Sequence, residues 1–278
     1  MPPIRLTIVL LSSVCLFGQD ATPITADAIM ARVAENQERA LKLRAEYVYE
    51  QHIRVETRHF NGKLARKEIA DYIVSPTPAG VEDKLQKIEG QYWQKKQKQY
   101  LDFNSEPAPE RDSMDGGMIE SFRRELLRDK SKDGIGGDLF PLTAAEQKKY
   151  KFELAGEQVV QDRKAYRIRF GPRDKNDISW AGEALIDAEE FQVVNVFTKL
   201  SRRIPFAIRT FLGTNLPGIG FNVKYQRLEK DVWFPVSFGT EFRLHVIFFI
   251  NRDISLSATS SNFKRANVAS TIQYAPPQ

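Results

Sequence analysis

From Lys149 onward the chain alternates apolar and polar residues almost without interruption. Tyr150, Phe152 and Leu154 share one parity, and so do Tyr166, Ile168 and Phe170. A period of two marks a strand with one face buried. The pattern continues through residues 180–187, 191–200, 221–228, 232–238, 242–250 and 254–260. Turn residues separate these runs at about ten-residue spacing, which predicts an antiparallel meander or barrel. A chain written this way has to build a large antiparallel sheet, because each strand buries its apolar side only alongside neighbours of the same pattern.

The first half carries the same rhythm after one helix. Residues 26–46 have no Gly or Pro, with Thr25 placed to cap the N-terminus and Asp27 in the first turn. Ile29, Val33, Ala40, Leu41 and Leu43 are the expected apolar stripe. The period then drops to two: Tyr47, Tyr49, Gln51, Ile53, Val55 and Thr57 fall on one face. Asn61-Gly62 predicts a tight hairpin into a second strand over 64–75. Further strands are expected over 83–88 and 92–103, a polar break over 106–117, a short amphipathic helix over 118–128 and a helical turn over 142–147. The total is eleven or twelve strands. Residues 106–145 read as a helical and loop insertion in one domain spanning 20–278, or as a domain boundary.

Residues 1–19 read as a secretory signal peptide, with Arg5 ahead of the apolar stretch 6–17. That stretch has twelve residues, short of the roughly 20 a spanning helix needs. Cys15 is the single cysteine, so a processed chain has no disulfide and no thiolate ligand. Export without disulfides points to a bacterial envelope. The net charge of +5, from 41 basic and 36 acidic side chains, is too small and too dispersed for a nucleic-acid binder.

No catalytic pattern stands out. His52, His59 and His245 are scattered, with no metal-ligand spacing. There is no Gly-x-Ser-x-Gly elbow, and Gly213, Gly218 and Gly220 match no phosphate-binding loop. Glu189-Glu190 reads as a polar hairpin turn, although paired carboxylates can serve a glycosidase. Lys95-Lys96-Gln97-Lys98, read as part of a strand, is either a solvated edge or a contact for anionic lipid headgroups or an acidic partner.

The unusual segment is 204–221. It is too rich in Pro and Gly for a regular helix, yet it carries Phe206, Ile208, Phe211, Leu212, Leu216 and Ile219. An apolar loop either packs inward or meets a ligand, membrane or partner. These six residues are the candidate ligand-binding set. Over 242–250 both strand faces are apolar, which suggests a strand end covered on both sides.

Several local patterns occur together: the exported N-terminus followed at once by a long helix; Phe152-Glu153-Leu154-Ala155-Gly156-Glu157, a turn, then Ala165-Tyr166-Arg167-Ile168-Arg169-Phe170; Gly182-Glu183-Ala184-Leu185-Ile186-Asp187, a turn, then Val193-Val194-Asn195-Val196; and Tyr225-Gln226-Arg227-Leu228-Glu229 before Val232-Trp233-Phe234-Pro235. Together they resemble the outer-membrane lipoprotein-sorting, LolA-like superfamily. The resemblance covers most of 26–265. It implies an incomplete β-barrel of about eleven strands whose concave side is closed by helices, and a carrier that binds acyl chains and moves lipoproteins or lipids across the periplasm. The chain departs from the family in the insertion near 106–145 and in lacking a Gly at the turn Gln161-Asp162-Arg163.

The expectation is thus an α+β fold: a strongly curved antiparallel sheet or half-open β-barrel of about eleven strands, with helices packed on the concave face. The expected function is non-enzymatic binding of a hydrophobic ligand, an acyl chain, lipid or lipoprotein, in the periplasm or outer envelope. No cofactor, metal or nucleic acid is expected, and a membrane component of the envelope is the expected partner. The alternatives are an envelope scaffold protein with a filled core and a secreted hydrolase.

Overall fold

The computed structural model describes residues 24–77, 80–127, 140–174, 179–201, 214–215, 219–246 and 250–266. In chain order the elements are α1 (Ala26–Arg44), β1 (Tyr47–Arg58), β2 (Leu64–Thr77), β3 (Gly80–Gln94), β4 (Gln99–Phe103), α2 (Met114–Leu126), α3 (Ala144–Gln147), β5 (Tyr150–Val160), β6 (Arg163–Pro172), β7 (Trp180–Asp187), β8 (Val193–Leu200), β9 (Thr214–Asn215), β10 (Gly220–Glu229), β11 (Val232–Val246) and β12 (Ile250–Arg265). Among the described residues, eleven strands lie on one path, β4-β3-β2-β1-β12-β11-β10-β8-β7-β6-β5, and the two-residue β9 adds to β11. The sheet is open, with β4 and β5 at its two ends. No helix of the described residues is long and apolar enough to cross a membrane.

The period-two pattern accounts for the packing. Across ten strands the register aligns one row: Leu154, Ile168, Ala184, Val196, Val223, Phe238, Ala258, Ile53, Ala70 and Ile88. Every member is apolar, and all but Leu154 are buried. Ile29, Met30 and Val33 of α1 and Ile119 of α2 belong to the same buried cluster, so both helices pack on this face. α1 lies against β5 and β11, and α2 against β1 and β2. A smaller cluster of Tyr47, Tyr49, Val74, Val232 and Phe234, with Leu43 against it, fills the end of the sheet where α1 leads into β1.

α1 starts as expected, with the Thr25 hydroxyl accepting from the Ala28 amide at 3.2 Å. Its buried stripe is Ala26, Ile29, Met30, Val33, Gln37, Ala40 and Arg44. Leu41, expected inside, is exposed, because it sits one residue, about 100° of helix rotation, past Ala40. Met30 and the stem of Arg44 occupy the face instead.

α2 begins at Met114 rather than 118, capped by Ser113 Oγ, which accepts from the Gly116 amide at 3.1 Å. Gly116-Gly117 reads as a break, but Gly116 is needed inside the helix. A Cβ there would lie 2.4 Å from the Glu110 carbonyl oxygen and 2.8 Å from that of Arg111.

Two strand boundaries also differ from the reading of the sequence. Residues 83–88 and 92–103 resolve into the long β3 and the short β4, with Lys95-Lys96-Gln97-Lys98 as the turn between them, Lys98 at φ 52°. The four residues are therefore no strand edge. β11 runs unbroken through Gly239 to Val246, so the expected strand 242–250 is divided between β11 and β12. Residues 247–249 lie outside the described residues.

Candidate ligand-binding rim

β6 ends, and β5, β7 and β10 begin, along one border of the sheet, where β8 also ends. The apolar segment singled out in the sequence joins the sheet here, between Leu200 and Gly220. Phe206, Ile208, Phe211, Leu212 and Leu216 lie outside the described residues. Ile219 is buried, and its carbonyl accepts from the Leu200 amide at 3.2 Å, which closes the β8–β10 ladder at this border.

The described residues around that junction form an aromatic ladder on the apolar face. Trp180 meets Phe221 edge-on at 5.2 Å between ring centroids, and Phe221 meets Phe238 at 5.4 Å. Trp180 and Phe221 are only partly buried. Beside them a polar clasp holds the strand ends. Tyr150 Oη and Ser179 Oγ are 2.6 Å apart, and the Ser201 amide donates to the Ser179 carbonyl at 2.7 Å. Thr198 lies in register between Gly182 and Phe221. Its fully buried hydroxyl has no hydrogen-bond partner among the described residues.

A buried orphan hydroxyl costs free energy of about 1–3 kcal/mol. Thr198 is thus an unsatisfied polar group enclosed between β7 and β10. Trp180, Thr198 and Phe221 are not singled out in the sequence, because alternation identifies strands and not which strand ends converge.

Two surface grooves lie on the face opposite the apolar row. One of about 680 Å³ runs between Arg54, Glu56 and Arg58 on one side and Glu241 and Arg243 on the other. The second, about 460 Å³, sits over Gly171 and Ala181 between Lys151, Glu153 and Arg169. Both are walled by charge.

Several of the titratable groups that could carry chemistry are engaged in structure. His52 Nδ1 is 2.6 Å from Asp71 Oδ1 on the exposed face, and among the described residues no serine hydroxyl bonds to that ring. The pKa of His59 is lowered by burial and by the neighbouring Arg252 charge. The His245 side chain lies outside the described residues. No group of three or more His, Cys, Asp or Glu side chains that could hold a metal occurs among the described residues.

Glu189-Glu190 falls in the β7–β8 turn, as expected, but Glu190 is no free carboxylate. It accepts from Arg227 Nε and Trp233 Nε1, both at 2.7 Å, and from the Asp231 amide at 3.1 Å. Asn36 of α1 donates to the Glu190 carbonyl at 2.8 Å, so this turn fastens the helix to the sheet. Asp187, fully buried, takes Arg163 in a bidentate pair at 2.6 and 2.9 Å. On the other half of the sheet Asp115 of α2 takes Arg252 at 2.8 and 2.9 Å and the Thr57 hydroxyl at 2.9 Å.

Burial raises the pKa of Asp115 and of Asp187, but the arginine partners outweigh it and hold both carboxyls below the usual range. A depressed folded-state pKa contributes stability above the unfolded value of about 3.9 and loses it as pH falls toward the folded value. The urea midpoint should therefore fall steadily below about pH 5. In Asp115→Asn and Asp187→Asn the midpoint should be lower at pH 7 and its acid slope flatter. An unchanged slope in both variants would show that these pairs do not govern acid unfolding.

No protein-family model and no curated protein matches the chain. Solved structures do. A LolA superfamily protein from Nitrosomonas europaea is 8% identical, with 88% of this chain and 96% of that one covered, at a TM-score of 0.31. The chain is similar to LolA superfamily proteins. A DUF1329 family protein from Desulfovibrio piger is 11% identical, covering 90% of this chain and 96% of its own, at a TM-score of 0.35. A domain from Vibrio parahaemolyticus assigned to the outer membrane lipoprotein-sorting proteins is 9% identical over 87% and 95%, at 0.34. The likeness extends over nearly the whole chain and is loose in detail.

Proposed function

We propose that the protein is a non-enzymatic carrier of a hydrophobic ligand, an acyl chain, lipid or lipoprotein, in the periplasm or outer envelope of a bacterium. In this reading the sheet is strongly curved, and the ligand lies between its apolar face and helices on the concave side. Phe206, Ile208, Phe211, Leu212, Leu216 and Ile219 line or cap the mouth. One observation carries the reading: at the border where β8 ends and β10 begins, the apolar face still carries the partly buried rings of Trp180 and Phe221. Each buried CH₂ of a chain contributes ~0.8 kcal/mol.

The test is mass spectrometry of lipids that co-purify with the protein, together with titration of a fluorescent fatty acid. A carrier holds lipid stoichiometrically. Phe211→Ser should weaken probe binding about tenfold or more, as expected for one aromatic contact, with circular dichroism unchanged. Unfolding of that variant assigns Phe211 to the core instead.

The second reading is an envelope scaffold with a filled core. It is favoured by the complete burial of Ile29, Met30, Ile119 and Phe140 between helices and sheet. Absence of both co-purifying lipid and probe binding would decide for it.

A further inference from the structure

Two neighbouring hairpin tips form an unusual surface. The β1–β2 tip is Arg58-His59-Phe60-Asn61-Gly62-Lys63, and the β3–β4 tip is Gln94-Lys95-Lys96-Gln97-Lys98-Gln99-Tyr100. Together they hold five cations and no carboxylate. Tyr100 Oη donates to the Leu64 carbonyl at 3.1 Å, which binds one hairpin to the other. Lys63 and Lys95 both act electrostatically on His59, so the charges of the two tips share one site.

The lysines here are not neutralised by the protein. Among the described residues, no ion pair joins Lys63, Lys95, Lys96 or Lys98 to a carboxylate. The carboxylates that border the tips hold other side chains than these lysines: Glu56 pairs with Arg58 of the first tip, Glu110 accepts from Gln94 of the second at 2.6 Å, and Asp253 holds Arg243 at 2.7 Å.

Aromatic rings stand among these cations. Phe60, Trp93 and Tyr100 are exposed at 43%, 37% and 41%. Trp93 and Tyr100 pack edge to face at 5.0 Å, and Arg243 lies over the Phe60 ring at 4.5 Å. Such rings are costly to leave in water and are favoured at the headgroup level of a bilayer, where an apolar body and a polar edge are both satisfied. Unpaired lysines on turns suit mobile anionic headgroups, which need no fixed geometry.

We infer that the β1–β2 and β3–β4 hairpin tips form a docking surface for an anionic phospholipid membrane, with Lys63, Lys95, Lys96 and Lys98 held over the headgroups and Phe60, Trp93 and Tyr100 set into the interface. The inference does not rest on the carrier reading: the tips belong to other strands of the same sheet border as the rim, and docking there needs no internal ligand.

The experiment is vesicle co-sedimentation of the purified chain and of Lys95→Gln/Lys96→Gln/Lys98→Gln, each with the same N-terminus so that the apolar stretch 6–17 contributes equally. The vesicles are phosphatidylglycerol with phosphatidylethanolamine, against neutral phosphatidylcholine. Each cation near an anionic surface strengthens partitioning about fivefold, so the triple variant should bind about a hundredfold more weakly. Raising salt from 0.1 to 1 M shortens the screening length from about 10 to 3 Å and should release the wild type. The corresponding triple Lys→Arg variant should bind as the wild type does. Lipids brominated near the headgroup should quench tryptophan emission, and Trp93→Phe should remove that quenching.

Equal binding to neutral and anionic vesicles, or unchanged binding of the triple Gln variant, overturns the inference. So does absence of vesicle binding. Retention on a polyglutamate resin without vesicle binding assigns the tips to an acidic protein. None of these readouts involves the fatty-acid probe, so failure here and failure of the carrier reading are separate results.

Discussion

Gly182→Ala should lower stability by about 3 kcal/mol or more and the melting temperature by about 10 °C. Gly182 sits in β7 between Phe170 of β6 and Thr198 of β8 in the cross-sheet register. A Cβ at this position would lie 2.0 Å from the Phe197 carbonyl oxygen and 2.9 Å from the Thr198 Cα. Both atoms are backbone, so no side-chain rotation relieves the contact. The β8 strand has to move, and it is held to β7 on one side and β10 on the other. Gly239→Ala is the internal control: its Cβ would meet nothing within 4 Å, and its φ is not in the left-handed region. That variant should stay within about 0.5 kcal/mol of wild type or gain slightly, since alanine restricts the unfolded chain more than glycine does. Thermal melts followed by circular dichroism measure both. Equal melting of the two variants would mean that β7 and β8 do not approach this closely.

The two glycines show where the sequence is readable and where it is not. Alternation locates nearly every strand because each has one buried side, and Asn61-Gly62 marks its hairpin, where the His59 amide donates to the Lys63 carbonyl at 2.9 Å and Gly62 adopts φ 80°. Glycine elsewhere is ambiguous. Gly239 suggests a turn between two strands and lies inside one, Gly116 suggests a break and lies in α2, and only the surrounding backbone separates these cases. The Lys95–Lys98 run fails for a related reason. A polar run is compatible with an exposed strand or a turn, and it is the pairing of Gln94 with Gln99 that makes it a turn. The apolar segment 204–221 stands out by composition, but the rim it joins depends on Trp180, Thr198 and Phe221, which come from three strands and converge only through register.

Arg66→Met should cost about 3–5 kcal/mol, the range for stranding the partner of a buried ion pair. Parity places Arg66 and Glu68 on the same face as Ala70 and Tyr72, and both are buried there. Arg66 Nε donates to Glu68 Oε1 at 2.7 Å and Nη1 to the Pro109 carbonyl at 2.8 Å. The guanidinium lies 5.1 Å from the Phe103 ring centroid and 5.5 Å from that of Tyr92. Methionine keeps much of the apolar volume but leaves the Glu68 carboxylate buried without its cation. Arg66→Met/Glu68→Leu removes both charges, and buried pairs replaced by apolar residues are often neutral or more stable. The double variant should therefore recover most of the loss, a coupling that urea unfolding of all four members of the cycle measures directly. The pH dependence separates the causes. A stranded buried carboxylate has a raised pKa, so it can discharge by binding a proton. The penalty of the single variant should shrink as pH falls from 7 toward 4, while a penalty from lost ring packing would stay constant.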